Sequence, residues 1–333
     1  MPVNSSLRSR IALLGCVLAG LVSTSAQAIN VQRTDVRAFI DRMVATNQFD
    51  RAELEAVLSK AETKQSILDA ISKPAEKTVP WFEYRERFLI DKRINRGKAF
   101  QAEHRAMLDK LAAQGAPVAE ILGILGVETQ YGEITGRFRV LDALATLGFD
   151  YAPRSDFFLM ELEQFLLMCR ELKLDYTAPL GSYAGAMGPP QFMPHSYREF
   201  AVDGDGDGKR DLWNNWDDVL ASVANYLAKY GWRSGEPVVA DAELASSDTS
   251  EFSIGDVTLN ETVGSLKAKG VRFSTSLPDS APAVLLALRG KTGTVYRVGF
   301  NNFYVITRYN RSPLYANTVY DLGQAITPTA TTK

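Results

Sequence analysis

The run Ile121-Leu122-Gly123-Ile124-Leu125-Gly126-Val127-Glu128-Thr129-Gln130-Tyr131-Gly132 sets a single carboxylate inside an otherwise uncharged segment. A helix with one buried face accommodates it. Pro117 suits the opening of such a helix and Gly132 its end. Ile121, Ile124 and Leu125 then fall seven, four and three residues before Glu128, so the acid rises from the apolar stripe. Desolvation there raises a carboxyl pKa, and an acid that keeps its proton near neutral pH can protonate a leaving glycosidic oxygen. A buried Glu paired with an Arg, or capping a neighbouring helix, leaves the same local pattern. The rest of the chain has to decide.

Composition narrows the choice. The chain has 333 residues, 46% hydrophobic and 23% charged, enough for one extended core or two packed ones. Thirty-seven basic residues face 39 acidic ones for a net charge of −2, so no broad cationic surface for nucleic acid or anionic lipid is expected. Arg8 and Arg10 precede the apolar run Ile11 to Val22, and Ala26-Gln27-Ala28 follows as an A-x-A site. Together these read as a signal peptide over residues 1–28 and a periplasmic destination. Leu13-Leu14-Gly15-Cys16 imitates a lipoprotein cleavage box, but only Ile11 to Gly15 would precede the cysteine as its hydrophobic core. Secretion without a lipid anchor is the expectation. Cys169 then stands alone among Phe165, Leu166, Leu167 and Met168 and reads as core packing. With His104 and His195 as the only histidines, a histidine-based zinc site is not expected.

The first two thirds are helical in pattern. Asp50 with Glu53 ahead of Leu54, Val57 and Leu58 predicts a capped helix start, and one long helix is expected over about Ile94 to Ala113. Ser155 to Leu174 and Val219 to Tyr230 carry apolar residues at helical spacing. After Gly235 the pattern turns to short strands: Glu251 to Leu259, Ala283 to Leu288, then Val295 to Val298 and Phe303 to Thr307 flanking a hairpin turn at Gly299-Phe300-Asn301-Asn302.

Two loops carry chemistry. Asp203, Asp205 and Asp207 occupy positions 1, 3 and 5 of an EF-hand-like loop, with Gly208 at position 6 and the Lys209 carbonyl at position 7. Asn214 replaces the closing Glu, so the last ligand must come from Asp217 or Asp218. A Gly-rich acidic turn is the plainer reading, but three aspartates at alternate positions repel one another unless a cation, here calcium, neutralises them. In Gly181-Ser182-Tyr183-Ala184-Gly185-Ala186-Met187-Gly188-Pro189-Pro190-Gln191-Phe192-Met193-Pro194, small residues allow close approach of a ligand, and Ser182 and Gln191 offer groups for hydroxyls or an acetamide. A tight core turn explains that stretch equally well.

Gly126-Val127-Glu128-Thr129 with Tyr131-Gly132, then Leu141-Asp142-Ala143-Leu144-Ala145-Thr146-Leu147, the Gly-Ser-Tyr-Ala-Gly-Ala-Met-Gly stretch with Gln-Phe-Met-Pro, the aspartate loop, Ser222-Val223-Ala224-Asn225-Tyr226 and Thr307-Arg308-Tyr309-Asn310-Arg311-Ser312 occur in one order. From about Thr34 to Gly323 the chain resembles the membrane-bound lytic murein transglycosylase B family. The resemblance implies a mainly α-helical α+β fold with one catalytic Glu, here Glu128. It implies sugar-binding roles for Tyr84, Ser182, Gln191, Tyr226, Tyr309, Asn310 and Tyr315, and favours Asp218 as the last calcium ligand. The implied plan is an N-terminal helical region (29–115), a lysozyme-like core (116–233) with its EF-hand-like loop (203–218), a β-rich subdomain with a C-terminal helix completing the cleft (234–326), and a frayed tail (327–333). No organic cofactor is implied. Peptidoglycan strands are the implied partner, with cell-wall synthesis or remodelling proteins as further candidates, and the chain is expected to be a monomer.

Glycoside hydrolysis normally needs two carboxylates. No second acid is evident in the motif, and a single Glu suffices if the substrate's own acetamide and C6 hydroxyl complete the reaction as a 1,6-anhydro ring. A lysozyme-type hydrolase and a non-catalytic, calcium-stabilised murein-binding protein stay open as alternatives.

Overall fold

The structure, a computed structural model, describes residues 27–73, 79–244, 252 and 255–327. The expected signal peptide, apart from Gln27 and Ala28, and the expected tail, apart from Thr327, lie outside the described residues. Helices dominate up to residue 229; after it come the short helix Val263–Ala268 and, at the end of the chain, Asn301–Thr307 and Pro313–Ile326.

The helix Val118–Thr129 forms the middle of the molecule, with every residue from Glu120 to Gly126 buried. Its apolar character extends around the whole circumference, which is the pattern of a helix enclosed by others rather than one lying on a surface. The C-terminal helix Pro313–Ile326 packs closely along it. A Cβ on Gly123 would sit 2.2 Å from the Val319 carbonyl oxygen, and one on Gly323 would sit 2.3 Å from that of Ala119. Glycine at both points lets the backbones approach. The pairings 119 with 323 and 123 with 319 make the helices antiparallel, and the same register continued brings Tyr315 to the level of Glu128.

A five-stranded antiparallel sheet follows the helical part, in the order Glu261–Thr262, Pro282–Arg289, Thr294–Gly299, Val239–Leu244, Val271–Arg272. Along Pro282–Arg289 the side chains alternate between two cores. Val284 and Leu286 join the main core, which runs from Ile29 to Ile326, while Ala283 and Leu285 join a smaller one with Val263, Leu266, Val271, Val298 and Phe300. The strand is a partition, buried on both faces.

The Asp50 cap forms as read, its side chain accepting from the Glu53 amide over helix Arg51–Leu58. Helices Ser155–Leu172 and Trp216–Lys229 match expectation closely, and Cys169 is fully buried. The long helix expected over 94–113 is two, Asp91–Glu103 and Arg105–Ala113. His104 breaks it, with its ring 4.3 Å from Phe100 and 5.6 Å from Trp216. The hairpin turn is not at Gly299–Asn302 but at Gly290–Gly293, where Gly290 donates to the Gly293 carbonyl. Phe303 to Thr307 instead belongs to a helix, and β-forming residue types there yield to tertiary contacts. Buried Asn302 donates to the carbonyls of Arg233 and Glu236 and accepts from the Arg233 amide, which fixes that turn of helix. Residues 255–259 form no strand, and most of the rest of the strand expected over 251–259 lies outside the described residues.

Candidate active site

Glu128 occupies the last turn of the central helix, half-buried. The chain leaves that helix through three successive left-handed residues, Gln130, Tyr131 and Gly132. Side chains at the first two are strained there, so surrounding bonds must hold the turn. The Tyr131 amide donates to Leu125 O, the Gly132 amide to Thr129 Oγ1, and the Ile134 amide to Thr129 O. Thr129 Oγ1 donates in turn to the Pro189 carbonyl at 2.9 Å, which ties the end of the helix to the glycine-rich loop.

The Tyr315 hydroxyl donates to Glu128 Oε1 at 2.7 Å, as the antiparallel register requires. The Tyr309 ring lies nearly parallel to that of Tyr315, 6.5 Å away, and its hydroxyl donates to Pro190 O at 2.6 Å. Tyr226 packs on Tyr309 with ring centroids 4.7 Å apart and donates to the Arg308 carbonyl. Tyr84, buried on helix Trp81–Phe88, interacts electrostatically with Tyr315. Burial, and after it the charge of Glu128, pushes both the Tyr309 and Tyr315 hydroxyls well above the usual tyrosine range. They are therefore neutral donors at any working pH.

Four of the seven expected sugar-binding residues are thus connected at Glu128, Tyr315 and Tyr309 directly and Tyr84 and Tyr226 through them. Ser182 and Gln191 serve the loop itself. Ser182 Oγ accepts from the amides of Ala184 and Ala186, and Gln191 Nε2 donates to the carbonyls of Gly188 and Thr135. Half-buried Asn310 lies in the turn between the last two helices, where its carbonyl accepts from the Ser312 amide.

Candidate second acids are committed elsewhere. Glu133 pairs with Arg96 at 2.8 Å, and buried Asp142 takes a two-pronged contact from Arg139 and the Glu62 amide. Glu161 accepts from the His195 amide. An unforeseen network holds the Tyr315 helix in place: Asp321 accepts from Arg85 at 2.7 Å and from Arg297 at 2.8 Å, and Arg297 also reaches Asn317 and Asp241. It joins the helix of Tyr84, the helix of Tyr315 and the sheet across 236 residues of chain, and no spacing rule points to it. Glu120, also unforeseen, is buried on the central helix, and burial pushes its carboxyl up to about 7.

In the aspartate loop, Asp203, Asp205 and Asp218 each offer a carboxylate oxygen within 4.8 Å of the others. Asp218 is fully buried and Asp217 is not part of the group. Burial raises the Asp218 carboxyl, and the charges of Asp205 and Asp203 raise it further. Such a donor set suits a hard dication, which would relieve that repulsion. Asp203 accepts from the amides of Gly206, Asp207 and Gly208, so the loop is already folded around the group. Asp207 stands outside it, accepting from the Lys209 amide.

Residues 31–324 match the transglycosylase SLT domain family. The chain belongs to that family. The transglycosylase is 39% identical over 302 residues to membrane-bound lytic murein transglycosylase B of Escherichia coli (strain K12), covering 88% of this chain and 82% of that protein. It superposes on catenated lytic transglycosylase SltB1 of Pseudomonas aeruginosa with a TM-score of 0.85 at 45% identity, over 88% of this chain and 97% of that one. The Escherichia coli lytic transglycosylase Slt35 in complex with calcium matches with a TM-score of 0.80 at 37% identity, over 90% and 95% of the two chains. The transglycosylase is therefore a lytic murein transglycosylase, a peptidoglycan-cleaving lyase with a lysozyme-like, mainly helical fold.

Proposed function

We propose that the transglycosylase cleaves the MurNAc-β-1,4-GlcNAc bond with Glu128 as its one catalytic residue, acting first as acid and then as base. Protonated Glu128 gives its proton to the glycosidic oxygen as the C1–O bond breaks, and the MurNAc acetamide supports the oxocarbenium-like centre. The C6 hydroxyl then attacks C1 while the Glu128 carboxylate takes its proton, leaving a 1,6-anhydro-MurNAc end. No water is consumed, and Glu128 is restored to its acid form. The observation that carries this reading is the pairing of Glu128 with a neutral hydroxyl, Tyr315, while Glu133, Asp142 and Glu161 are bound elsewhere. Tyr315 steadies the carboxylate without competing for the proton. Tyr84, Tyr226 and Tyr309 wall the site for sugar faces, with Ser182, Gln191 and Asn310 along the strand path.

Calcium belongs to the same proposal as a structural ion. Asp203, Asp205 and Asp218 would hold it, with Asp207 and the Lys209 carbonyl completing the loop; bound there, it supplies charge neutralisation and rigidity, not chemistry. Among the described residues no helix is long and apolar enough to cross a membrane. A periplasmic enzyme released from its signal peptide, working as a monomer on the domain plan 29–115, 116–233 and 234–326, completes the reading.

Glu128→Gln tests it. The amide is nearly isosteric and cannot transfer the proton, so turnover of purified murein should fall by about 10³-fold while sedimentation with murein is retained. Activity within tenfold of wild type would remove Glu128 from its role.

A further inference from the structure

A cavity of about 420 Å³, within the range of ligand-binding clefts, opens at the far end of the central helix from Glu128. Glu120 stands there, eight residues before Glu128 and about 12 Å from it along a helix axis. Only 6% exposed, it lines the cavity with Pro117, Trp232, Pro237 and Tyr320. The wall is held in place: the Trp232 amide donates to the Leu227 carbonyl, and buried Asn302 ties down Arg233 and Glu236 just beyond it. The first turn of a helix favours a negative charge. Yet among the described residues no cation pairs with Glu120, and the one hydrogen bond to its carboxylate comes from its own backbone amide. No Lys, Arg or His is among the described residues that line the cavity. A carboxylate buried in this way is costly to ionise until a cation reaches it.

We infer that this cavity is a ligand site of its own, separate from the residues around Glu128, and that it takes a small alkylammonium ion on the Glu120 carboxylate. A metal ion fits less well. A hard dication needs several oxygen donors, and Glu236, the other carboxylate of the cavity, is taken by Arg233 at 3.5 Å. An organic cation sets its carbon chain against the two prolines and brings its charge to the carboxylate, beside the rings of Trp232 and Tyr320, which attract cations. An anion would meet two carboxylates and no positive side chain. Pairing needs Glu120 ionised. Burial holds its carboxyl at about 7, so the ionised fraction rises about tenfold between pH 6 and pH 8, and affinity should rise with it as a proton is released on binding. The other titratable groups facing the cavity do not follow that course: the Tyr320 hydroxyl, raised by burial, stays neutral, and Glu236 keeps its pair with Arg233. Asp321, next to Tyr320, is held by Arg85 and Arg297.

The test titrates the full chain with n-butylammonium and with its neutral analogue 1-butanol, by calorimetry and by melting temperature. Calcium is kept in excess, so that the aspartate loop is not a competing cation site, and ionic strength is held constant. Butylammonium should bind at pH 8 and raise the melting temperature, with affinity about tenfold weaker at pH 6, while 1-butanol binds at least tenfold more weakly at pH 8. Glu120→Gln keeps the shape of the side chain and removes its charge. It should weaken butylammonium binding about tenfold or more at pH 8 and abolish the pH dependence. Equal binding of butylammonium and 1-butanol would make the cavity merely apolar and overturn the inference. So would no binding of butylammonium at pH 8, or an affinity for it that Glu120→Gln leaves unchanged. Should Glu120→Gln fail to fold, the two probes on the wild-type chain at pH 6 and pH 8 decide by themselves.

Discussion

Glu128 and the aspartate loop place carboxylates in opposite surroundings. Glu128 lies beside tyrosine rings and accepts from the Tyr315 hydroxyl, whereas Asp203 and Asp205 accept from backbone amides and Asn215. A group that must give up and regain a proton gains from a neutral donor and an apolar wall, which fix neither protonation state. Groups that must stay ionised gain from amides, which stabilise charge and hold the oxygens in one place. Glu120, two turns earlier on the Glu128 helix, supplies the control: a carboxyl raised by burial.

The largest effect that can break this contrast is at Glu120. Its carboxyl rises from 4.5 to about 7 on folding, so the folded chain holds a proton that the unfolded chain releases in that window. Stability is greatest below the unfolded value and falls by about 3 kcal/mol as pH rises from there through the folded value. Denaturant unfolding at pH 5 and pH 8 should show that loss, and Glu120→Gln should flatten it. The same slope in the variant would mean that burial of this acid has no such consequence. Next in size, calcium at a hundred times its dissociation constant should add about 2.7 kcal/mol, seen as a melting temperature raised by roughly 5 °C and erased by Asp203→Asn with Asp205→Asn. Identical melting curves with calcium and with chelator would reduce the loop to an acidic turn. The smallest effect sharpens the other side: Tyr315→Phe removes one hydrogen bond to a charged group and should cost about tenfold in kcat, or about 1.4 kcal/mol, with little change in melting temperature. An unchanged kcat would show that the hydroxyl only packs.

Much of this was legible because local rules and tertiary structure agreed. Pro117 to Thr129, the Asp50 cap and the alternating aspartates each declare themselves within a dozen residues. Where they disagreed, the sequence misled. Phe303 to Thr307 has strand-forming residues, but Asn302 bonds to the segment near Arg233 and draws them into a helix. Val239–Leu244 is a strand with no local signal, since Ala, Asp and Glu are poor strand formers and its support comes from the neighbouring strand Thr294–Gly299. At the site, Glu128 stood out as a charge in an apolar run. The Tyr315 partnership was implied only by family resemblance, yet Gly123 and Gly323 carry its physical signal, two close-approach positions that set the register of the helices. Arg85, Arg297 and Asp321 have no local signal at all.

The central claim is that one carboxylate suffices because the substrate closes its own ring. Digestion of purified murein in ¹⁸O-labelled water, with mass spectrometry of the new glycan ends, tests it directly. The account predicts 1,6-anhydro-MurNAc ends without label, and free reducing MurNAc at most as a minor product. Predominantly ¹⁸O-labelled reducing ends would contradict it: water would then be the nucleophile, and a second acid would have to be found among Glu133, Asp142 and Glu161.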